Sequence, residues 1–366
     1  MAPEDGAAAR RAAAAGKPFR LRPGAWIHST VDRPAAWRAC EPQVTGMADQ
    51  SDAASGPPEG VVYDAASAYP WAALNETAFL ERFFAALATA MGPDLERYRF
   101  HVLSSHDPGV VPASAGLPDP EGRLKVLLFL SDETGAFPAE LLSRYHAIFK
   151  CYLREQPAAR NLFPFNVGTV RGVPAVPPLP MEERTCDVFF SGNLHRNRFG
   201  LYRELHPLLR RLPDGMAGAA YRVLRLPQLR GFVRTDFSDA ERKTRLTFTG
   251  GFAAGLPPEE YGRLLATSRI VLCPKGVHST ETFRHMEALR AGAAVITEPL
   301  PQTHFYRGGP FLTVSSWGEG LAVARELLRS PERLEELQRE GLRWWRDVCD
   351  EAATARYVQQ SLATLG

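Results

Sequence analysis

A chain of 366 residues with 45% hydrophobic and 23% charged side chains has globular composition and room for two domains of ordinary size. Lys+Arg 43 against Asp+Glu 41 leaves a formal charge of +2, which excludes bulk attraction to nucleic acid. The five cysteines (Cys40, Cys151, Cys186, Cys273, Cys349) form no C-x-x-C pair, which excludes a disulfide framework or zinc site and fits reduced thiols in a cytoplasmic setting.

From the amino end, residues 1–24 lack the apolar core of a signal peptide and read as a disordered tail. An irregular lead-in with Trp26 and Trp37 and a mobile loop over 48–60 follow. Val61–Tyr63 is a short strand. Asn75–Met91 is an amphipathic helix capped by Asn75, with Phe79, Phe83, Leu87 and Met91 on one face. Phe100–Leu103 is a strand running into His106 and Asp107, and Leu124–Leu130 is the clearest strand of this half, running into Ser131, Asp132 and Glu133. Leu141, Tyr145, Ile148 and Tyr152 predict a helix over Pro138–Glu155, and Leu162–Val167 is extended. Alternating strands and helices imply a parallel sheet.

Residues 170–181, with four prolines, read as a semi-rigid linker. The strand Asp187–Phe190 ends in Ser191, Gly192 and Asn193, and Arg196, Asn197 and Arg198 open a helix through Leu209. Glycine between a strand and a basic helix start suits phosphate, although an ordinary turn with solvated arginines has the same pattern. Tyr221–Val223 and Leu246–Phe248 are further strand candidates.

Arg269–Cys273 is a buried strand closed by Pro274, Lys275 and Gly276. Ser279 and Thr280 offer caps to a helix that begins near Glu281 and stops at Gly292, before a strand over Ala293–Thr297. Phe283, Met286 and Leu289 are spaced to face the sheet, and Thr280, Arg284 and Glu287 to line a polar face beside the strand tips. A helix start with an arginine fork and a carboxylate suits a diphosphate and a ribose diol. The competing reading is an exposed Arg284–Glu287 pair worth under about 1 kcal/mol. Beyond it come a strand over Phe311–Val314, a helix entered through Ser330 and Pro331, and a helical run to Leu365 with Trp344, Trp345, Val348 and Tyr357.

The pattern Y-x-x-L-L-x-x-S-R-I-V-L-C-P-K-G, then E-T-F-R-H-M-E-A-L-R-A-G-A-A-V-I, resembles the donor-binding domain of exostosin-like glycosyltransferases over about forty residues. A fainter likeness, a strand ending in S-D-E and then Y-x-x-x-x-K-C-Y, covers the amino half, with Lys150 where an Arg is more usual. The resemblance implies an α/β fold of GT-B type: two Rossmann-like domains with parallel sheets facing across a cleft, and a terminal helix crossing back. The implied boundaries are 25–169 for the acceptor side, 170–181 for the linker, 182–345 for the donor side and 346–366 for the brace. Lys275, Gly276, Ser279 and Arg284 would lie near the diphosphate with Thr280 and Glu281 beside them, Glu287 near the ribose, and Gly192, Asn193, Arg196 and Arg198 would face the cleft. A UDP-linked sugar and inversion at the anomeric carbon are implied by the resemblance alone.

Inverting transfer to a hydroxyl acceptor, a carbohydrate or another, needs a base from the opposite wall. Asp132 and Glu133 are the first candidates, then His106 or Asp107, then Asp64, each with the alternative of a turn or cap residue; His278 could touch donor sugar or phosphate. No D-x-D metal cluster is present, so Lys275, Arg284, Arg196 and Arg198 are expected to offset leaving-group charge without metal or cofactor. Dinucleotide, P-loop and G-x-S-x-G fingerprints are missing. An epimerase of the same architecture and a non-catalytic nucleotide-binding scaffold remain as rival functions. No run of ~18 apolar residues predicts a transmembrane segment, and peripheral membrane contact stays open.

Overall fold

The computed structural model describes residues 56–366 other than 108, 156, 227, 229–232, 239–242 and 252–253. The predicted tail, the lead-in with Trp26 and Trp37, most of the 48–60 loop, and Cys40 therefore lie outside the described residues.

Among the described residues ten strands form two sheets of five, parallel at every pairing between strands. The amino sheet contains β1 (Val61–Tyr63), β2 (Tyr98–Ser104), β3 (Leu124–Leu130), β4 (Ala147–Lys150) and β5 (Leu162–Pro164), hydrogen-bonded in chain order. The second contains β6 (Cys186–Asn193), β7 (Thr244–Thr249), β8 (Ser268–Cys273), β9 (Ala294–Thr297) and β10 (Phe311–Thr313), in the order β10-β9-β8-β6-β7. The two sheets differ in an important way. The second is doubly wound, and its order reverses between β6 and β8, where open α/β sheets leave a crevice at their carboxyl ends. Among the described residues the amino sheet keeps chain order throughout.

Strand composition follows from burial on both faces. In β3, Val126, Leu128 and Leu130 join one core cluster and Leu127 and Phe129 another. In β8, Val271 and Cys273 face one way and Ile270 and Leu272 the other. Each such side chain stabilises by about 1.5–3 kcal/mol against full exposure.

Helix α1 (Thr77–Met91) covers one face of the amino sheet with Phe79, Leu80, Phe83 and Leu87. Thr77 is the first helical residue, one turn position later than a cap at Asn75 would give. The predicted helix over Pro138–Glu155 is absent: a 3-10 turn, Ala139–Ser143, leads into β4. Ala147, Ile148 and Phe149 are fully buried between β3 and β5, so their apolar spacing reflects burial on both faces of a strand. Tyr221–Val223, expected as a strand, lies in a helix over Ala217–Leu224, and the helix expected over 196–209 is a 3-10 turn, Arg196–Arg198, followed by Phe199–Leu205. In order, Phe199–Leu205 is α2, Ala217–Leu224 α3, Pro258–Thr267 α4, Phe283–Arg290 α5, Trp317–Leu327 α6, Pro331–Trp344 α7 and Glu351–Ala363 α8.

Helix α8 crosses back to α1. Arg82 Nε donates to Glu351 at 2.8 Å, Gln359 donates to the Ala90 carbonyl at 2.8 Å, and Ala355, Val358 and Leu362 enter the core with Phe79 and Phe83. The linker is tied to α5 as well: Glu287 accepts from Val170 N–H and Arg290 donates to the Val173 carbonyl, both at 3.1 Å. Buried Cys151, Cys186, Cys273 and Cys349 are free thiols. Among the described residues no helix is long and apolar enough to cross a membrane.

Candidate functional site

The strand-order reversal sets the location, because the loops after β6 and β8 meet there. β6 runs through Gly192 to Asn193 and turns at Arg196–Arg198, while β8 ends at Cys273 and its loop reaches α5. The start of α5 is fixed by Thr282. His285 Nδ1 sits 3.3 Å from the Thr282 N–H and 3.1 Å from the Thr282 carbonyl, and the other ring nitrogen is hydrogen-bonded with Thr297 Oγ1 at 2.8 Å. The Thr297 hydroxyl donates onward to the Cys273 carbonyl at 3.1 Å. Burial pushes the His285 imidazole down to about 3, keeping it neutral for this role. Ser279 and Thr280, expected as caps, sit outside the helix: Ser279 Oγ accepts from Glu281 N–H at 3.1 Å, and Thr280 is half-buried in the loop.

Two guanidiniums converge beside Gly192. Arg198 donates through Nη1 to Asn193 Oδ1 at 2.6 Å and through Nε to the Lys275 carbonyl at 3.3 Å. Arg284 donates through Nη2 to the Ser191 carbonyl, while its buried Nε and Nη1 have no partner. Both cations lie over the Phe190 ring, at 5.8 and 5.0 Å from its centre. A Cβ at Gly192 would stand 2.7 Å from Arg198 Nη1 and 3.1 Å from Arg284 Nη2, so glycine is what lets the pair approach. Among the described residues neither arginine forms an ion pair with a carboxylate. Burial first, then the neighbouring Arg284 charge, push Arg198 down to about 9. The buried Glu287 carboxylate on α5 acts on the Arg284 charge without contacting it as an ion pair, and an anion between the two guanidiniums would offset the like charge that remains.

The remaining candidate donor residues spread around this pair. Lys275 is half-buried, with its N–H on Glu298 at 2.6 Å, and Gly276 N–H donates to the Ser279 carbonyl at 2.7 Å. Asn197, unremarked by spacing, fastens this loop by donating to the carbonyls of Gly276 and Val277 at 2.9 and 2.8 Å. Arg196 is exposed. Glu281 is buried, and that burial pushes its carboxyl up to about 8. Arg284 and Glu287 are 8% and 2% exposed, which removes the exposed-pair alternative. Both Glu287 oxygens are engaged, Oε1 by Val170 N–H and Oε2 by the Tyr261 hydroxyl, each at 3.1 Å. A ribose diol would have to compete for that carboxylate.

Across from these, the amino sheet offers the candidate bases. Asp132 is fully enclosed and held by Lys150 Nζ at 2.8 Å and by Thr134 N–H and Oγ1 at 2.9 and 2.6 Å. That bonding fits a structural carboxylate and leaves Asp132 no route to solvent. Asp64 is likewise committed, to Ala66, Ala113 and Ser114. Asp107 is exposed and accepts from Gly109 N–H at 2.8 Å. Glu133, half-buried, accepts from His278 N–H through Oε2 at 3.2 Å, so it bridges the loops at the carboxyl ends of the two sheets. His106 is exposed, with Nδ1 2.8 Å from the Ser131 carbonyl and Nε2 3.1 Å from the Tyr69 hydroxyl. Ser131 adopts a left-handed backbone (φ 67°), and its hydroxyl pairs with Ser104 at 2.9 Å.

The chain matches no protein-family model and no curated protein. Solved structures similar in fold include TarM, at 10% identity over 75% of this chain and 57% of that one, with a TM-score of 0.42. The HepE protein of Anabaena in complex with UDP-glucose is similar at 12% identity over 77% and 82%, with a TM-score of 0.41. Sucrose-phosphate synthase from Thermosynechococcus elongatus is similar at 13% identity over 73% and 67%, with a TM-score of 0.35. The chain thus spans little over half the length of TarM. These superpositions are loose and extend to no individual residue.

Proposed function

We propose that the chain is a glycosyltransferase that moves a sugar from a nucleoside diphosphate sugar to a hydroxyl acceptor. One observation carries the reading: among the described residues Arg198 and Arg284 stand buried and close together, neither in an ion pair with a carboxylate, at the carboxyl-end crevice of a doubly wound sheet. A diphosphate brings the two negative charges that this pair lacks, and Arg284 Nε and Nη1 supply donors for its oxygens. The Lys275 backbone borders the pair, its carbonyl accepting from Arg198 Nε. The acceptor side is assigned to residues 25–169 and the donor side to 182–345, with the linker at 170–181.

Within this reading Glu133 is the base. Of the candidates on the amino sheet, it is the carboxylate whose oxygen touches the donor-side loop, where an acceptor hydroxyl would meet the sugar. His106 is the second candidate, farther out on the same sheet edge. The exostosin-like resemblance adds UDP as the expected nucleotide and inversion as the expected outcome, while the scattered cysteines, with no C-x-x-C pair, are what suggest a cytoplasmic setting. The arginine pair supports offset of leaving-group charge without a divalent ion. Turnover surviving EDTA is then expected, and loss restored by manganese would overturn that part.

A thermal-shift screen with UDP-, GDP-, ADP- and TDP-sugars tests the proposal. A ligand at 100 times its Kd stabilises the folded chain by about 2.7 kcal/mol, so one nucleotide class should raise Tm. Arg284→Met should abolish the shift. Glu133→Gln should keep it and remove turnover. No shift with any nucleotide would sink the reading.

A further inference from the structure

The crossover between β6 and β7 carries a stretch of exposed side chains for which neither core packing nor the site accounts. Along it, Leu209, Ala217, Ala220, Tyr221 and Leu224 point inward and pack against the core. The side chains between them do the opposite. Leu208, Met216, Val223 and Leu226 are 69%, 51%, 49% and 47% exposed. They are four of the nine large hydrophobic side chains exposed among the described residues, gathered between positions 208 and 226. Isolated exposed aliphatics are ordinary, but a group of this kind marks a contact surface.

The same stretch carries Arg210, Arg211, Arg222 and Arg225, all exposed, against one acid, Asp214. None of the four forms an ion pair among the described residues; Arg225 lies over the Tyr221 ring at 5.9 Å. Aliphatic tips interleaved with arginines on long stems match an interface that is greasy below and anionic at its surface. Nucleic acid would satisfy the arginines and leave the four aliphatics in water. We propose that the segment 208–226, with α3 at its centre, seats this protein on an anionic lipid bilayer, α3 lying in the plane of the headgroups.

Each arginine near such a surface contributes roughly fivefold to partitioning, and salt weakens the effect. The test is co-sedimentation of the full chain with vesicles of phosphatidylcholine alone or mixed with phosphatidylglycerol, at low and high salt. Binding is expected to the mixed vesicles and to fall with salt. Arg222→Glu with Arg225→Glu should lower it more than a hundredfold, and Val223→Asp with Leu226→Asp should abolish it. Both pairs are solvent-facing, so Tm should hold, and Arg339→Glu on α7 should bind as the unchanged chain does. Absence of binding to mixed vesicles would overturn the proposal, as would equal binding to neutral ones or binding indifferent to both double variants. A change in molecular mass for Val223→Asp with Leu226→Asp would overturn it too, by showing that a second copy covers the face. The deciding readouts are vesicle binding and mass, with Tm only a check on folding, so they stand apart from the test of sugar transfer.

Discussion

The carboxyl ends of the two sheets handle buried charge in opposite ways. At the amino sheet, Lys150 and Asp132 are both fully enclosed and matched at 2.8 Å. At the second sheet, Arg198 and Arg284 are enclosed nearly as well, yet their direct hydrogen-bond acceptors are carbonyls and an amide oxygen, both lie over a ring face, and the buried Glu287 acts on Arg284 without an ion pair. A closed ion pair contributes to one fold and offers nothing to a ligand. An open pair of like charges is a cost that the folded chain bears until something anionic arrives. The absence of an ion pair, more than depth of burial, separates the two ends, and the proposed diphosphate site rests on that difference.

The contrast can be broken most directly at Asp132. Asp132→Ala strands the Lys150 ammonium in the core and is expected to destabilise the protein by about 3–5 kcal/mol, read as a fall in the urea midpoint with an unchanged slope. Were Asp132 mainly a catalytic base, turnover would vanish with stability intact. Next in size is Glu76, buried at the start of α1 with Ser131 as its neighbour, whose carboxyl burial raises to about 7. A carboxyl raised above its unfolded value binds its proton more tightly when folded, so stability is full near pH 4.5, falls as pH rises to about 7, and is flat beyond. Glu76→Gln should therefore stabilise the chain at pH 8 by on the order of 3 kcal/mol and change nothing near pH 4.5; equal melting shifts at both pH values would contradict this. The smallest effect sharpens the comparison. Arg284→Met removes an unmatched buried cation and should leave apo stability unchanged or raise it by about 1 kcal/mol. A large drop in Tm would instead mark Arg284 as a structural group like Lys150.

The second sheet was the more legible from sequence, because its signals were local. RIVLC reads as a buried strand, Gly292 ends α5 at φ 67°, and Arg284 and Glu287 follow by helical spacing. What spacing could not give was depth, so the same two residues also fitted an exposed pair. Reading β4 as a helix had a further effect. Leu141, Tyr145, Ile148 and Tyr152 match a helical period, and a four-residue buried strand has no period of its own with which to compete. With Lys150 assigned to a helix, nothing connected it to Asp132, and Asp132 looked available as a base. The Asn197, Phe190 and Tyr261 contributions rest on contacts between distant segments, which no local pattern carries.

The return of α8 onto α1 has a consequence for how the chain is made. Arg82 and Glu351 are 269 residues apart, as are Ala90 and Gln359. During synthesis the amino half emerges long before α8 can cover Phe83 and its neighbours, so that apolar flank must wait in water or under a chaperone. Completion of the amino-sheet core thereby waits on a helix made 269 residues later.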